Sequence, residues 1–244
     1  MTRGSGKLIF ALDGVKERKE VEQWVKRLYP VIYRFKVGKE LFTREGPEII
    51  KTIQGQGGEI FLDLKFHDIP ETVARAVEVA SRLGVEILNV HALGGKEMMK
   101  AARKAARTVW EEKDGKETKI VAVTVLTSLN QEDLREMGLE IGVERLVLNL
   151  ARLAREAGLD GVVASPWEAR KIREGQGEDF IIITPGIRSG PGKNDDQKRV
   201  STPEDAIAAG ASMIVVGRDI RNAPDPVGQA RVMEEKIAQS GRNG

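Results

Sequence analysis

Eight short runs rich in Val, Ile and Phe recur along the chain: LIFALD from Leu8, RFKVG from Arg34, EIFLDLK from Glu59, EILNVHA from Glu86, KIVAVTVLT from Lys119, GVVAS from Gly161, FIIITPGI from Phe180 and SMIVVGRDI from Ser212. Most are apolar almost throughout instead of alternating with polar residues, which is the pattern of strands covered on both faces in a parallel sheet. Between them lie amphipathic stretches with helical spacing, such as VARAVEVASRLG from Val73 and VERLVLNLARLAREAG from Val143, each closed by a glycine that suits a helix C-terminus. Eight units in 244 residues give about 30 residues per unit, the length of a βαβ repeat. The expected fold is therefore α/β, a single (β/α)8 TIM barrel over residues 1–244. A doubly wound open sheet competes, but no Gly-x-Gly-x-x-Gly follows the first run.

Composition narrows the function. With no cysteine, disulfides and Cys-based metal sites are excluded. The 39 Lys+Arg against 37 Asp+Glu leave a formal charge of +2, so no large positive field marks a nucleic-acid partner. The apolar run LIFAL is too short for a signal-peptide core or a membrane span, so a cytoplasmic enzyme with no membrane partner is expected. The longest irregular stretch, RSGPGKNDDQKRVST from Arg188 to Thr202, falls after the seventh strand and is expected to be a mobile lid.

In such barrels the reacting groups stand at the C-terminal ends of the strands and on the loops that follow. The polar residues of this chain fall there. Asp13 ends the first strand, Lys36 lies in the second, Asp63 and Lys65 end the third with Asp68 close behind, and His91 ends the fourth. Thr127 and Ser128 end the fifth, Arg188 follows the seventh and Arg218 ends the eighth. Residues two apart on a strand face the same way, so Asp63 and Lys65 are expected to share a side, opposite Leu64 and Phe66. Lys36 and Asp68 would complete an array of two cations and two anions. Flanking carboxylates hold Lys65 as an ammonium, a proton donor and not a base. The bland reading is a salt-bridge layer plugging the barrel, which requires four buried charges at the catalytic end, an expensive arrangement.

A second cluster suits phosphate. The segment VVGRDI supplies the backbone N–H groups of Gly217 and Arg218 and a guanidinium, and the lid adds Arg188 and Gln197. A solvated glycine-rich loop is the competing reading. His67 and His91 are each expected to be a lone, hydrogen-bonded structural histidine. A divalent ion on Asp63, His91 and His67 is conceivable but is opposed by the two lysines in the same space, which would repel it. Gly94-Gly95-Lys96 is expected to start a helix, and the three tryptophans and the Met98-Met99 pair to be packing residues.

At these residues the chain closely resembles the orotidine 5′-phosphate decarboxylase family of bacterial type. The likeness is carried by DLKFHDIPET from Asp63 to Thr72, by FALD, FKVG, NVHA, VTVLTS, TPGIR and VVGR, and by the lid with Gln197, in order along the chain. The resemblance implies decarboxylation of orotidine monophosphate to uridine monophosphate without metal or organic cofactor. It makes Lys65 the proton donor to the carbon that loses CO₂, sets Asp63 beside the departing carboxylate and lets Lys36 complete the array. Asp68 and Thr72 would reach into the partner subunit's site, making a homodimer obligatory. Asp13 and Lys36 would contact ribose, Thr127 and Ser128 the pyrimidine, and Arg188, Gln197, Gly217 and Arg218 the phosphate end or lid, with Ile69 also among the substrate-binding residues. Two alternatives remain at this point: a metal-dependent sugar-phosphate decarboxylase or epimerase on the same barrel, and a phosphate-ligand-binding barrel without catalysis. The intact set of Lys36, Asp63, Lys65 and Asp68 argues against the latter.

Overall fold

The computed structural model of the protein describes residues 4–113, 116–188 and 201–240. Eight parallel strands close into a barrel: β1 (Leu8–Ala11), β2 (Arg34–Gly38), β3 (Glu59–Phe66), β4 (Ile87–His91), β5 (Lys119–Val123), β6 (Gly161–Val163), β7 (Ile181–Thr184) and β8 (Met213–Val216). Each pairs with the next, and β8 returns to β1 through Ile9↔Val215. Every expected run holds one strand, but several strands stop short. β1 ends two residues before Asp13, β5 four residues before Thr127 and β8 two residues before Arg218. Those side chains therefore stand on the loops beyond the strands and not on the strand ends.

The helices follow from the amphipathic stretches. The two singled out above form Pro70–Arg82 and Val143–Glu156. Each is followed two residues later by a glycine at positive φ, Gly84 at 74° and Gly158 at 79°. A side chain resists that conformation, so glycine ends the helix and turns the chain toward the next strand. Gly95 opens the helix Gly95–Lys113 as expected. Among the described residues no helix is long and apolar enough to cross a membrane.

Why the strands read as continuous apolar runs is visible in their two faces. Outward side chains such as Phe10, Phe35, Leu62, Val90 and Ile182 join the helices in the main core. Inward ones, Ile9, Phe61, Ile87, Val121, Ile183 and Val215, form a separate apolar plug inside the barrel. Each such side chain, fully buried, contributes ~1.5–3 kcal/mol. The plug separates two charged layers. At the N-terminal end of the strands Arg34 pairs with Glu86 at 2.5 Å and lies 3.6 Å from Glu59. Two residues further along β2, beyond the plug, stands Lys36. The site thus has an apolar floor.

Met98 and Met99 are fully buried, and Trp24 packs tilted against Phe10 with ring centroids 5.4 Å apart. Trp110 and Trp167, expected to pack, are instead 40% and 61% exposed. In the helix Pro166–Gln176 the core-facing residues include Pro166, Ala169 and Ile172, and Trp167 falls outside that stripe. Residue type alone did not settle the helix face.

β6 and β7 approach too closely at Gly161 for a side chain. A Cβ on Gly161 would lie 2.1 Å from the carbonyl oxygen of Ile181 and 2.6 Å from its Cβ. Gly161→Ala is expected to lower the free energy of unfolding by at least ~2 kcal/mol, because backbone has to move. Urea denaturation checks this; an unchanged midpoint would mean the strands separate freely here.

Candidate active site

Four charged side chains from three adjacent strands alternate in sign across the mouth of the barrel. Asp13, on the loop after β1, receives Lys36 Nζ at 2.7 and 2.8 Å on its two oxygens. Lys36 Nζ also lies 3.1 Å from Asp63 Oδ2, and the other oxygen of Asp63 accepts from Lys65 Nζ at 2.6 Å. Lys36 and Asp63 are buried, whereas Asp13 and Lys65 open toward solvent. Gly38 makes the first link feasible: a Cβ there would fall 2.5 Å from Asp13 Oδ1 and 3.2 Å from Lys36 Nζ.

Asp63 and Lys65 meet through an irregularity in β3. The β3–β4 register runs Phe61↔Ile87 and Leu62↔Leu88, then resumes at Phe66↔Val90, so four steps on β3 face two on β4. Within that bulge Lys65 has φ 51°, the one positive φ at a non-glycine residue among the described residues. Plain alternation therefore gave the right pairing for an incomplete reason. Asn89 of β4, fully buried, fills the gap: its Nδ2 donates to Asp63 Oδ1 at 2.6 Å and its Oδ1 accepts from the Lys65 backbone N–H at 2.7 Å.

The electrostatics follow from this packing. Burial alone would push the Asp63 carboxyl up, but the ammonium groups of Lys36 and Lys65 and the hydrogen bonds from Lys65 and Asn89 outweigh it. They hold the group far below the usual carboxylate range. Burial likewise works against charge on Lys36, and Asp63 with Asp13 more than offsets it, raising its pKa. Asp63 and Lys36 are therefore both held in their charged forms at neutral pH.

A cleft of about 480 Å³ lies over the array. Apolar side chains of the barrel wall, including Ala11, Phe61, Val123, Val163 and Val215, form its floor. The wall also carries Gly217 and three arginines, Arg188, Arg218 and Arg221. Arg188 lies 3.7 Å from Asp219 and donates to the Ile187 carbonyl. Arg221 donates to the backbone carbonyl of Asp13, tying the arginine side of the cleft to the charge array. Such a cleft takes a ligand with an anionic group at one end and reacting atoms over the lysines at the other.

Residues 6–233 match the family described as Orotidine 5'-phosphate decarboxylase / HUMPS family. The chain belongs to that family. It is 52% identical over 233 residues to an orotidine 5'-phosphate decarboxylase of Syntrophotalea carbinolica, with 95% of each chain covered. The corresponding protein of Geobacter sulfurreducens is 52% identical over 239 residues, covering 97% of this chain and 99% of that one. Among solved structures, the orotidine 5'-phosphate decarboxylase from Lactobacillus acidophilus superposes with a TM-score of 0.84 at 37% identity, over 96% of this chain and 99% of that one.

The residues expected of an orotidine 5′-phosphate decarboxylase divide into two groups. Asp13, Lys36, Asp63, Lys65, Thr127, Arg188, Gly217 and Arg218 all line one cleft. Ser128 is not among its lining residues. Asp68, Ile69 and Thr72 are exposed and lie outside it; Asp68 Oδ1 accepts from the Ile69 N–H at 2.6 Å. Within one chain the fourth charge of the array is thus Asp13, and Asp68 points elsewhere. Gln197 and most of the expected lid lie outside the described residues. Asn89, Gly38 and Arg221 were missed. Arg221 had a usable signal, three residues after Arg218 and so on the same helix face, whereas Asn89 and Gly38 matter only once β2, β3 and β4 are side by side.

The histidines depart from expectation. His67 and His91 stack with centroids 5.2 Å apart and planes 21° from parallel, so neither is lone. His91 Nδ1 is buried with no hydrogen-bond partner among the described residues. Among those residues no three carboxylate or histidine side chains come together in a metal-binding group.

Burial, with the neighbouring His67, Lys65 and Lys39, pushes the His91 imidazole down to about 4. Between the ordinary histidine value near 6.5 and about 4, the unfolded chain binds a proton here that the folded chain refuses. Stability is therefore lost as the pH falls through that window. His91→Gln is expected to flatten this part of a plot of melting temperature against pH, and an unaltered slope would place the acid sensitivity elsewhere.

Proposed function

We propose that this cleft converts orotidine 5′-monophosphate to uridine 5′-monophosphate and CO₂, a step of pyrimidine biosynthesis, with Lys65 as proton donor and with no metal or organic cofactor taking part. The observation that carries the reading is the Lys36–Asp63–Lys65 array, in which an ammonium is held 2.6 Å from a buried carboxylate at the mouth of the barrel. The relatives named above carry that activity in their names.

The chemistry asks for such an array. When the bond from the ring carbon to the carboxylate breaks, CO₂ leaves and the electron pair stays on a vinyl carbon whose orbital lies in the ring plane. The ring cannot delocalise it. A positive charge fixed at that atom is worth far more in the transition state than in the ground state. Lys65 Nζ then gives its proton to the carbon and regains one from solvent. Asp63 sits beside the departing carboxylate and orients Lys65, while Lys36 keeps Asp63 ionised.

In this reading Arg218, Arg188 and the backbone at Gly217 take the phosphate, with Gln197 closing over it from the lid. Asp13 and Lys36 hold the ribose, and Thr127 with Ser128 flanks the pyrimidine. Binding energy from the remote phosphate closes the lid and expels water, raising the effect of every charge inside. Exposure of Asp68, Ile69 and Thr72 outside their own cleft supports a homodimer in which each chain lends these residues to its partner's site. A metal-dependent sugar-phosphate enzyme is disfavoured by the two lysines flanking Asp63, whose charge opposes a cation there. Loss of the orotate ring absorbance on adding orotidine 5′-monophosphate with a chelator present tests the reaction.

Lys65→Ala is expected to leave the fold intact and cut kcat by at least ~10²-fold, about 2.7 kcal/mol of barrier, with a smaller effect on substrate affinity. A variant keeping a tenth of wild-type kcat would remove Lys65 from the donor role. Sharing of the sites has its own test. A Lys65→Ala dimer and an Asp68→Ala dimer each have two damaged sites, but a mixed dimer gathers both lesions into one. Half of randomly paired dimers are mixed, so refolding the two inactive proteins together should restore roughly a quarter of wild-type activity. Background activity from demonstrated mixed dimers would show that Asp68 acts within its own chain.

A further inference from the structure

An asparagine in the middle of the run EILNVHA interrupts an otherwise apolar strand, and its side chain is fully buried. A buried amide is tolerated where both of its ends find partners. Asn89 satisfies them on the bulge of β3, at 2.6 Å to Asp63 and 2.7 Å to the Lys65 backbone. The orientation is fixed by chemistry: turned over, its oxygen would face a carboxylate and its NH₂ would face an N–H. The bulge takes the Lys65 N–H out of the strand ladder, and the Asn89 oxygen stands in for the carbonyl that β4 no longer supplies.

We infer that Asn89 is a positioning residue for the decarboxylation: one side-chain amide sets both the backbone from which Lys65 springs and the carboxylate with which Lys65 pairs. This rests on the reading of Lys65 as proton donor. No other residue type does both tasks at this length. Aspartate lacks the donor when ionised, serine has one oxygen at shorter reach, and leucine of similar shape leaves the Lys65 N–H and Asp63 Oδ1 each short of a partner.

The test measures kcat and KM for orotidine 5′-monophosphate, with melting temperature, for wild type, Asn89→Ala and Asn89→Asp from pH 5.5 to 8. Asn89→Ala should lose ~100-fold in kcat, the cost of a misplaced reacting group. Its KM should stay within a few-fold, because the phosphate contacts lie across the cleft. Asn89→Asp gives the sharper readout. Ionised, the new carboxylate repels Asp63 and disturbs its pairing with Lys65; protonated, its O–H donates to Asp63 as the amide did while its other oxygen keeps the Lys65 N–H. The ratio of its kcat to that of wild type should therefore rise about tenfold from pH 8 to pH 5.5.

A residue that merely stabilises the fold would lower the melting temperature and leave that ratio flat. A flat ratio, or an Asn89→Ala variant keeping more than a third of wild-type kcat, overturns the inference. If Asn89→Ala proves insoluble, the profile of Asn89→Asp decides alone. Wild-type turnover in the same series separates the two ideas. An inactive wild type overturns the reaction and with it this role, whereas an active wild type with unaffected variants overturns the role of Asn89 alone.

Discussion

The pairing of one buried carboxylate with two ammonium groups is the constraint around which this barrel is arranged. Asp63 stands between Lys36 of β2 and Lys65 of its own strand, β3, so β2 and β3 must be in register for it to be neutralised. Removing both lysines would leave an unpaired charge in a place that water reaches poorly, a far larger penalty than losing an ion pair on the surface. Gly38 is small because Asp13 and Lys36 need the space, and Asn89 is polar because Asp63 and the bulge need an amide. The cluster thus dictates residues that themselves carry no charge.

The rest of the barrel isolates this cluster. An apolar plug fills the interior beneath it, and a second set of ion pairs around Arg34 closes the opposite end. Charges above a dry floor interact more strongly than they would in water, and they need not reorganise when the substrate's own charge shifts. The same cleft is lined by three arginines, and Arg221 joins them to Asp13 and so to Lys36. In the proposed reaction, substrate recognition and the reacting centre are therefore parts of one connected structure.

Much of this was legible in the sequence, for physical reasons. Strands buried on both faces must be apolar throughout, so GVVAS and FIIITPGI announced β6 and β7 whatever their neighbours. Charges placed at the ends of such strands are costly, so Asp63, Lys65 and Lys36 stood out as functional. The local geometry that brings them together was not legible. Regular alternation gives Asp63 and Lys65 the same side, but it contains neither the bulge nor the positive φ of Lys65. The stacking of His67 on His91 and the role of Asn89 depend on which residues of neighbouring strands come opposite each other, a property of the closed barrel and of no single segment. Trp110 and Trp167 show the converse: large apolar side chains whose helix positions leave them at the surface.

The backbone conformation of Lys65 sets stability and chemistry against each other at a single residue. A side chain at positive φ costs on the order of 1 kcal/mol or more, and glycine would relieve it. The most comfortable occupant of position 65 is thus the one with no amine to offer. Selection for a sturdier fold alone would drift away from lysine here, and under the proposed reaction the need for a proton donor opposes that drift. In a family of such barrels, the strained residue is the place where a chain that has given up its chemistry would first relax.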